Sequence, residues 1–135
     1  MQSFSVSQSG GVLAYWTGAG ANEQQVVWFD RKGNRIGSLG EPVRQTDIRI
    51  SPDGTKVAAE IYDQEVSGID SDIWLYDVLR GLKTRLASGP GTARVPCWSP
   101  DGKHIVFSSD RKGNFGLYEK AIDGAGDEEL AWIPM

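Results

Sequence analysis

A repeated tetrapeptide, Ser-Pro-Asp-Gly, is the feature that most strongly limits how this chain can fold. It occurs at Ser51–Gly54 and at Ser99–Gly102, and a degenerate copy without the proline and aspartate occupies Ser7–Gly10. The copies begin 44 and 48 residues apart, so the 135 residues divide into three units of similar length. Repeats of this period are typical of solenoids, propellers and other arrays, in which a single unit cannot bury its apolar face alone.

Each unit has the pattern of four short β-strands. Proline presets the first corner of the tetrapeptide, aspartate accepts hydrogen bonds from amides that follow it, and glycine tolerates positive φ. A run of β-forming residues comes next, as in Val57–Tyr62 and Ile105–Phe107. A third strand then ends in aromatic and acidic residues, at Ile73–Asp77 and at Phe115–Glu119, before a more polar fourth strand. Four strands per unit, with the last one most exposed, is the plan of a propeller blade.

The pattern predicts an all-β chain with almost no helix, because no window of 11 or more residues keeps apolar positions at helical spacing. We predict a single-domain β-propeller segment of three four-stranded antiparallel blades, at residues 3–40, 45–88 and 94–133. The aligned third strands place Gly116 in the third unit where the second has Trp74. With the degenerate first tetrapeptide, this difference predicts that the two terminal blades pack less well than the middle one.

Four stretches carry a family resemblance. The motif Ser99–Lys103 before an apolar strand, and the run Ser108–Asn114 before the next one, resemble the TolB-type, WD-like propeller repeat of bacteria. Trp28–Gly33 and Asp72–Asp77 are similar to propellers appended to bacterial serine/threonine protein kinases. The resemblance covers all three units and implies a six-bladed ring and a periplasmic or otherwise extracytoplasmic parent protein. It implies no particular ligand.

The number of blades in one chain predicts how this chain associates. Propellers close with about 4 to 8 blades, so three blades leave two apolar sheet faces uncovered, and such faces drive association. Two copies give six blades, which predicts a homodimer joined head to tail. The alternative is a segment of a longer propeller whose other blades belong to the same polypeptide.

The sequence lacks the motifs of the common catalytic sites. No Gly-x-Ser-x-Gly nucleophile motif occurs, and the Gly-x-Gly stretches lack the third glycine and the helix of a dinucleotide loop. A single cysteine, Cys97, and a single histidine, His104, exclude an intrachain disulfide and the usual zinc ligand sets. We expect Cys97 to be a small buried residue. The sequence therefore predicts a protein that is not an enzyme and uses no cofactor or metal.

Charge and hydropathy argue against two further classes of partner. The net charge is −4, with 14 basic and 18 acidic residues, whereas nucleic-acid binding needs clustered lysine and arginine. No apolar run approaches the roughly 18 residues that span a bilayer, and Met1–Phe4 does not begin a secretory signal. We expect neither nucleic-acid binding nor membrane insertion.

The remaining prediction is a binding module or scaffold for a protein or peptide. Polar residues near the beginning of the predicted inner strands, and an aromatic residue near the predicted axis, are the candidates. The predicted binding residues are Gln45, Asp47, Arg94 and Trp98. We expect them to adjoin a face formed by the loops Asp63–Ser71 and Ser109–Gly113. For the tryptophan, placement on a strand favours filling the space between blades over stacking on a ligand. The alternative function is an accessory or sensor propeller of a larger enzyme, such as a bacterial kinase or a prolyl-oligopeptidase-like hydrolase.

Overall fold

The structure, a computed structural model, describes residues 4–6, 13–18, 23–62, 70–126 and 129–132. These residues form twelve β-strands and no helix, as the sequence predicts. In chain order the strands are β1 (Phe4–Val6), β2 (Leu13–Gly18), β3 (Gln24–Phe29), β4 (Arg35–Val43), β5 (Gln45–Ile50), β6 (Lys56–Tyr62), β7 (Ser71–Asp77), β8 (Lys83–Ala87), β9 (Ala93–Trp98), β10 (His104–Ser109), β11 (Gly116–Ala121) and β12 (Glu129–Trp132).

The strands form three antiparallel four-stranded sheets, each in simple chain order. Sheet one contains β1 to β4, sheet two contains β5 to β8, and sheet three contains β9 to β12. The first strand of sheet two, β5, contacts the first strands of both neighbouring sheets, β1 and β9. We call these three strands the inner strands. They bring residues from all three repeats to one place.

The two Ser-Pro-Asp-Gly copies that the structure describes form equivalent hairpin tips before β6 and β10. In the later copy, Oδ1 of Asp101 accepts hydrogen bonds from the Ser99 hydroxyl at 2.6 Å and from the Lys103 amide at 2.9 Å. The serine hydrogen bond is the main cause that lowers the pKa of this aspartate. Gly102 has a φ of 70°, in the left-handed region that glycine tolerates. The first copy, Ser7–Gly10, lies outside the described residues.

Two apolar cores lie between the sheets, and sheet two contributes to both. Alternate residues of β6 point to opposite faces, so this strand is buried on both sides. The core shared with sheet one contains Val26, Trp28, Leu39, Ile48, Ile50, Val57, Ala59, Ile61 and Tyr76. The core shared with sheet three contains Ala58, Ile73, Leu75, Leu86, Ala87, Ala93, Ile105, Phe107 and Tyr118. Sheet two is therefore packed between its two neighbours.

The register of sheet three corrects the alignment expected from sequence. Ala59 and Phe107 hold equivalent positions, because each lies eight residues after its tip serine. Trp74 pairs with Ala59, and Tyr118 pairs with Phe107. Tyr118 and not Gly116 thus takes the place of Trp74. The reason is that the stretch from the tip serine to this position is four residues shorter in sheet three than in sheet two, whereas the alignment with Gly116 required it to be six residues shorter. The connection from β10 to β11 (110–115) is two residues shorter than that from β6 to β7 (63–70), and β10 and β11 are each one residue shorter than β6 and β7. The stacked rings of Phe107 and Tyr118 are both buried, so the predicted packing defect at this position is absent.

Candidate functional site

A cleft of about 310 Å³ opens at the ends of the inner strands, beside the hairpin tips. Strands β1, β5 and β9 each supply part of its wall, and the two described tips supply the rest. The lining residues are Ser5, Arg49, Ile50, Pro52, Cys97, Trp98, Ser99 and Pro100. We call this site the central cleft. It exists only when the three sheets are assembled, because no single repeat contains more than part of the wall.

Three residues of the central cleft hold one equivalent position in successive repeats. Ser5, Arg49 and Cys97 each lie two residues before the serine that begins a tetrapeptide. The position carries a hydroxyl, a guanidinium and a thiol in turn, although the tip residues themselves repeat. Cys97 is exposed, and not buried as expected, because its strand turns that side chain to the cleft and not to a core.

Two hydrogen bonds between sheets fix the walls of the central cleft. The indole Nε1 of Trp98 donates to the main-chain oxygen of Arg49 at 3.0 Å, which joins sheet three to sheet two. The amide of Ile50 donates to the hydroxyl oxygen of Ser5 at 2.9 Å, which joins sheet two to sheet one. The cleft is therefore largely preformed, as small-ligand sites usually are.

Arg49 provides the cationic group of the cleft wall. Its Nη1 donates to the oxygen of Ile48 at 2.9 Å, and its Nη2 lies 3.8 Å from Oδ1 of Asp47. The arginine side chain remains 39% exposed. An ion pair this exposed contributes about 0–1 kcal/mol to stability, so these contacts orient the guanidinium more than they stabilise the fold. A guanidinium held in one plane is suited to bind a carboxylate through two parallel hydrogen bonds.

The inner strands of sheets two and three contain matching β-bulges. Asp47 has a φ of 44° and Val95 a φ of 53°, and they are the non-glycine residues with positive φ in the part of the chain that the structure describes. Both lie four residues before a tip serine, where the pairing register of the strand shifts. A positive φ is unusual for any residue other than glycine and strained for a β-branched one. No local sequence pattern marks these bulges.

Gln45, one of the predicted binding residues, is fully buried. Its Nε2 donates to the main-chain oxygen of Gln24 at 2.8 Å, and its Oε1 accepts from the Tyr76 hydroxyl at 3.2 Å. This amide thus links β3 of sheet one to β5 and β7 of sheet two. Burial also raises the pKa of Tyr76 to about 12. The structure gives Gln45 a packing role and no surface for a ligand to contact.

Of the other three predicted residues, two lie at or beside the central cleft and one lies at the far end of its strand. Trp98 lines the central cleft, and Asp47 contacts the cleft residue Arg49. Arg94 lies at the opposite end of β9, with its guanidinium 5.5 Å from the ring centroid of Phe115. The central cleft is at the tip end of the inner strands, whereas the expected binding face was at their other end. Residues 63–69 of that expected face lie outside the described residues.

Sequence reasoning did not place Ser5, Arg49 and Cys97 in the site. Their constant offset from the tip serines is visible in the sequence, but only the packing of the inner strands shows that this position faces a cleft. In the described ranges, no cluster of three or more His, Cys, Asp and Glu side chains is arranged to hold a metal ion. The same part of the chain contains no helix long and apolar enough to cross a membrane.

Comparisons with known proteins place the chain among bacterial propellers. No profile of a known protein family matches it. The uncharacterized peptidase YuxL of Bacillus subtilis (strain 168) is 35% identical over 95 residues, which cover 68% of this chain and 14% of that protein. The Tol-Pal system protein TolB of Alcanivorax borkumensis is 30% identical over 97 residues, which cover 69% of this chain and 21% of that protein.

A solved structure shares the same arrangement of sheets. The putative TolB from Agrobacterium tumefaciens superimposes with a TM-score of 0.83 at 24% identity, over 97% of this chain and 46% of that one. The chain thus spans less than half the length of each of these three proteins.

Proposed function

Because this chain is a TolB-like β-propeller segment, we propose that it is a non-catalytic binding module whose central cleft receives a peptide segment of a partner protein. The contrast between the tips and the cleft carries this proposal. The tips repeat the same residues and hydrogen bonds because the fold needs them. Ser5, Arg49 and Cys97 share one position yet differ in chemistry, and they are gathered in a concave surface, where ligand specificity usually resides.

The chemistry of the cleft favours a peptide with a carboxylate. Arg49 offers a planar set of N–H donors, and the half-buried ring of Trp98 offers an apolar surface beside it. Tryptophan and arginine are the residue types most enriched at the energetic centres of protein interfaces. A volume of about 310 Å³ is at the small end of ligand pockets. It suits a few side chains of an extended segment better than the surface of a folded domain.

Selection from a phage-displayed peptide library, with the purified protein as the target, tests the proposal. The selected peptides are synthesised, and their affinities are measured for the wild type and for Arg49→Ala. We expect at least a tenfold loss of affinity in the variant, equivalent to about 1.4 kcal/mol. Arg35→Ala is the matched control, because Arg35 is an exposed arginine on the outer strand β4, and we expect it to bind like the wild type.

The melting temperature separates lost binding from lost folding. Arg49→Ala should melt close to the wild type because its ion pair is exposed. If the selected peptides bind Arg49→Ala as tightly as the wild type, the central cleft is not their binding site. A selection that returns no binding peptide would refute the peptide-binding function.

An accessory propeller of a larger hydrolase is the second candidate function. The match to YuxL, which is described as a peptidase, favours it. In this case the sheets would stand beside a catalytic domain encoded in the same reading frame. The gene sequence on both sides of the segment decides, since a peptidase domain in frame supports this function and the lack of any catalytic domain refutes it.

We also propose that two copies pack head to tail into a six-bladed ring. The support is that the described sheets differ in how many of their faces are packed against another sheet. Sheet two is covered on both faces, whereas the far face of sheet three leaves Phe115 42% and Leu117 38% exposed. The first sheet of a second copy would cover this face in the way that sheet three covers sheet two.

Light scattering of the purified chain tests the ring. We expect a uniform particle of twice 14.7 kDa. Leu117→Arg should give monomers by placing a charge on the contact face. The matched control is Leu79→Arg, because Leu79 is 90% exposed in the turn after β7, and it should leave the dimer intact. A well-folded wild-type monomer would refute the proposal.

A further inference from the structure

Glu60 carries a buried carboxyl group between sheets two and three. It belongs to β6, is 2% exposed, and is the one charged side chain among the buried residues that the structure describes. The peptide-binding proposal gives this residue no role. A buried carboxyl is costly unless its hydrogen bonds are satisfied or it is neutral, so its surroundings require an explanation.

Three hydrogen bonds tie Glu60 to the inner strand of sheet three. Its Oε1 lies 3.1 Å from the Ser71 hydroxyl, and that hydroxyl lies 2.9 Å from the main-chain oxygen of Ala93. The amide of Val95 donates to Oε2 of Glu60 at 3.3 Å. Glu60 and Ser71 belong to sheet two, whereas Ala93 and Val95 belong to β9. The group therefore bridges the two sheets at the strained bulge of β9.

The number of available protons shows which form of Glu60 fits this geometry. The Ser71 hydroxyl has one hydrogen, and the Ala93 carbonyl can only accept. If Glu60 is ionised, this one hydrogen has two acceptors, and one of the two short contacts lacks a proton. If Glu60 is protonated, it donates to Ser71, which donates to Ala93, and Val95 donates to the other carboxyl oxygen. Every contact then has a donor and an acceptor.

The groups that face Glu60 have opposing effects on its pKa, and their balance raises it. Burial is the largest influence, and it raises the pKa of this carboxyl above its ordinary value. The Val95 amide, the Ser71 hydroxyl and the Tyr62 side chain oppose the rise by hydrogen bonding, while the charge of Asp47 on β5 adds to it. These groups come from the strand of Glu60 itself and from β5, β7 and β9.

We propose that Glu60 is a proton-dependent latch that holds β9 against sheet two when its carboxyl is protonated. Loss of the proton leaves the Glu60–Ser71–Ala93 chain one hydrogen short and places a charge in the interface between the sheets. Because Cys97 and Trp98 lie on the same strand, the latch acts on one wall of the central cleft. A rise in pH should therefore loosen that wall.

The pH dependence of unfolding in the wild type and in Glu60→Gln tests the latch. The glutamine amide can donate to Ser71 while its oxygen accepts from Val95, so this variant imitates the protonated carboxyl. An acid with a raised pKa in the folded state stabilises the fold fully below its unfolded pKa and loses that effect as the pH rises through its folded pKa. We expect the ratio of unfolding constants, wild type over variant, to rise from the ordinary glutamate pKa of 4.5 upward, by at most about tenfold per pH unit.

The matched control is Glu41→Gln, because Glu41 is an exposed glutamate on β4. Its ratio of unfolding constants should show no such rise. A ratio for Glu60→Gln that stays constant with pH, or that falls as the pH rises, would overturn the proposal.

The backbone amide proton of Val95 gives a second measurement in the folded wild type, which needs no variant to fold. Because this amide donates to Glu60, its NMR chemical shift should follow a one-proton titration at a pH above the ordinary glutamate range. The shift should be independent of pH in Glu60→Gln. A Val95 amide that does not titrate in the wild type would overturn the latch.

Discussion

Replacing Gln45 with alanine tests whether this side chain holds sheets one and two together or serves a ligand. Its amide bonds to the Gln24 carbonyl and to the Tyr76 hydroxyl, and both Gln45 and Tyr76 are 0% exposed. Alanine would remove both hydrogen bonds and leave two polar partners without their donor or acceptor. We therefore expect a loss of stability.

The size of the loss follows from the two unpaired groups. A buried polar group left without its partner costs about 1–3 kcal/mol. We take about 3 kcal/mol for the pair, below the middle of the summed range, because the bond to Gln24 is only partly buried. The unfolding entropy of a 135-residue chain is about 0.3 kcal/mol per kelvin. Gln45→Ala should therefore lower the melting temperature by about 10 °C.

Thermal unfolding followed by circular dichroism measures this shift, with Gln25→Ala as the matched control. Gln25 also donates from Nε2 to a backbone oxygen, that of Gly40 at 2.7 Å, but this bond is exposed. Water can replace an exposed bond, so the control should lose less than about 1 kcal/mol. If Gln45→Ala melts no lower than Gln25→Ala, the inter-sheet role of Gln45 is refuted.

Two further predictions concern the backbone and the hairpin tips. Gly40→Ala should destabilise the fold, because a Cβ there would lie 2.7 Å from Tyr76 Cε1 and the residue has a φ of 65°. In a urea titration, Gly37→Ala should lower the free energy of unfolding far less, because a Cβ at Gly37 meets nothing within 4 Å. The hydrogen bonds of the tips lower the pKa of Asp53 and Asp101, chiefly through the neighbouring serines. Such groups stabilise the fold above their unfolded pKa of 3.8 and lose that effect as the pH falls through the lower folded values. The stability advantage of the wild type over an Asp53→Asn/Asp101→Asn variant should therefore shrink below pH 3.8, and an advantage that grows in acid would contradict this reasoning.

The positions of the tips and the all-β fold were predictable from sequence because their causes are local. In each tip, the serine hydroxyl and the aspartate carboxylate bond to each other and to amides no more than five residues from the serine. A short run of β-forming residues after each tip predicted the strand that follows. These features need no other part of the chain, so the repeated tetrapeptide was sufficient evidence for them.

The site was not predictable in the same way, because neighbouring sheets decide which inner-strand residues are buried. Gln45 is polar but buried, since its amide forms hydrogen bonds with Gln24 and Tyr76. Gln24 is 21 positions away and lies in sheet one, and Tyr76 is 31 positions away and lies in sheet two. Cys97 is apolar but exposed, since its strand faces the central cleft.

The place of Tyr118 opposite Phe107 follows from a β10–β11 hairpin that is four residues shorter than the β6–β7 hairpin, two of them in the connection, and the aromatic pattern alone did not reveal this length. Sequence thus determined where the chain turns and where strands follow the turns, since both depend on neighbours along the chain. Tertiary structure decided which side chains are buried, exposed or gathered in a cleft, since burial depends on neighbours in space.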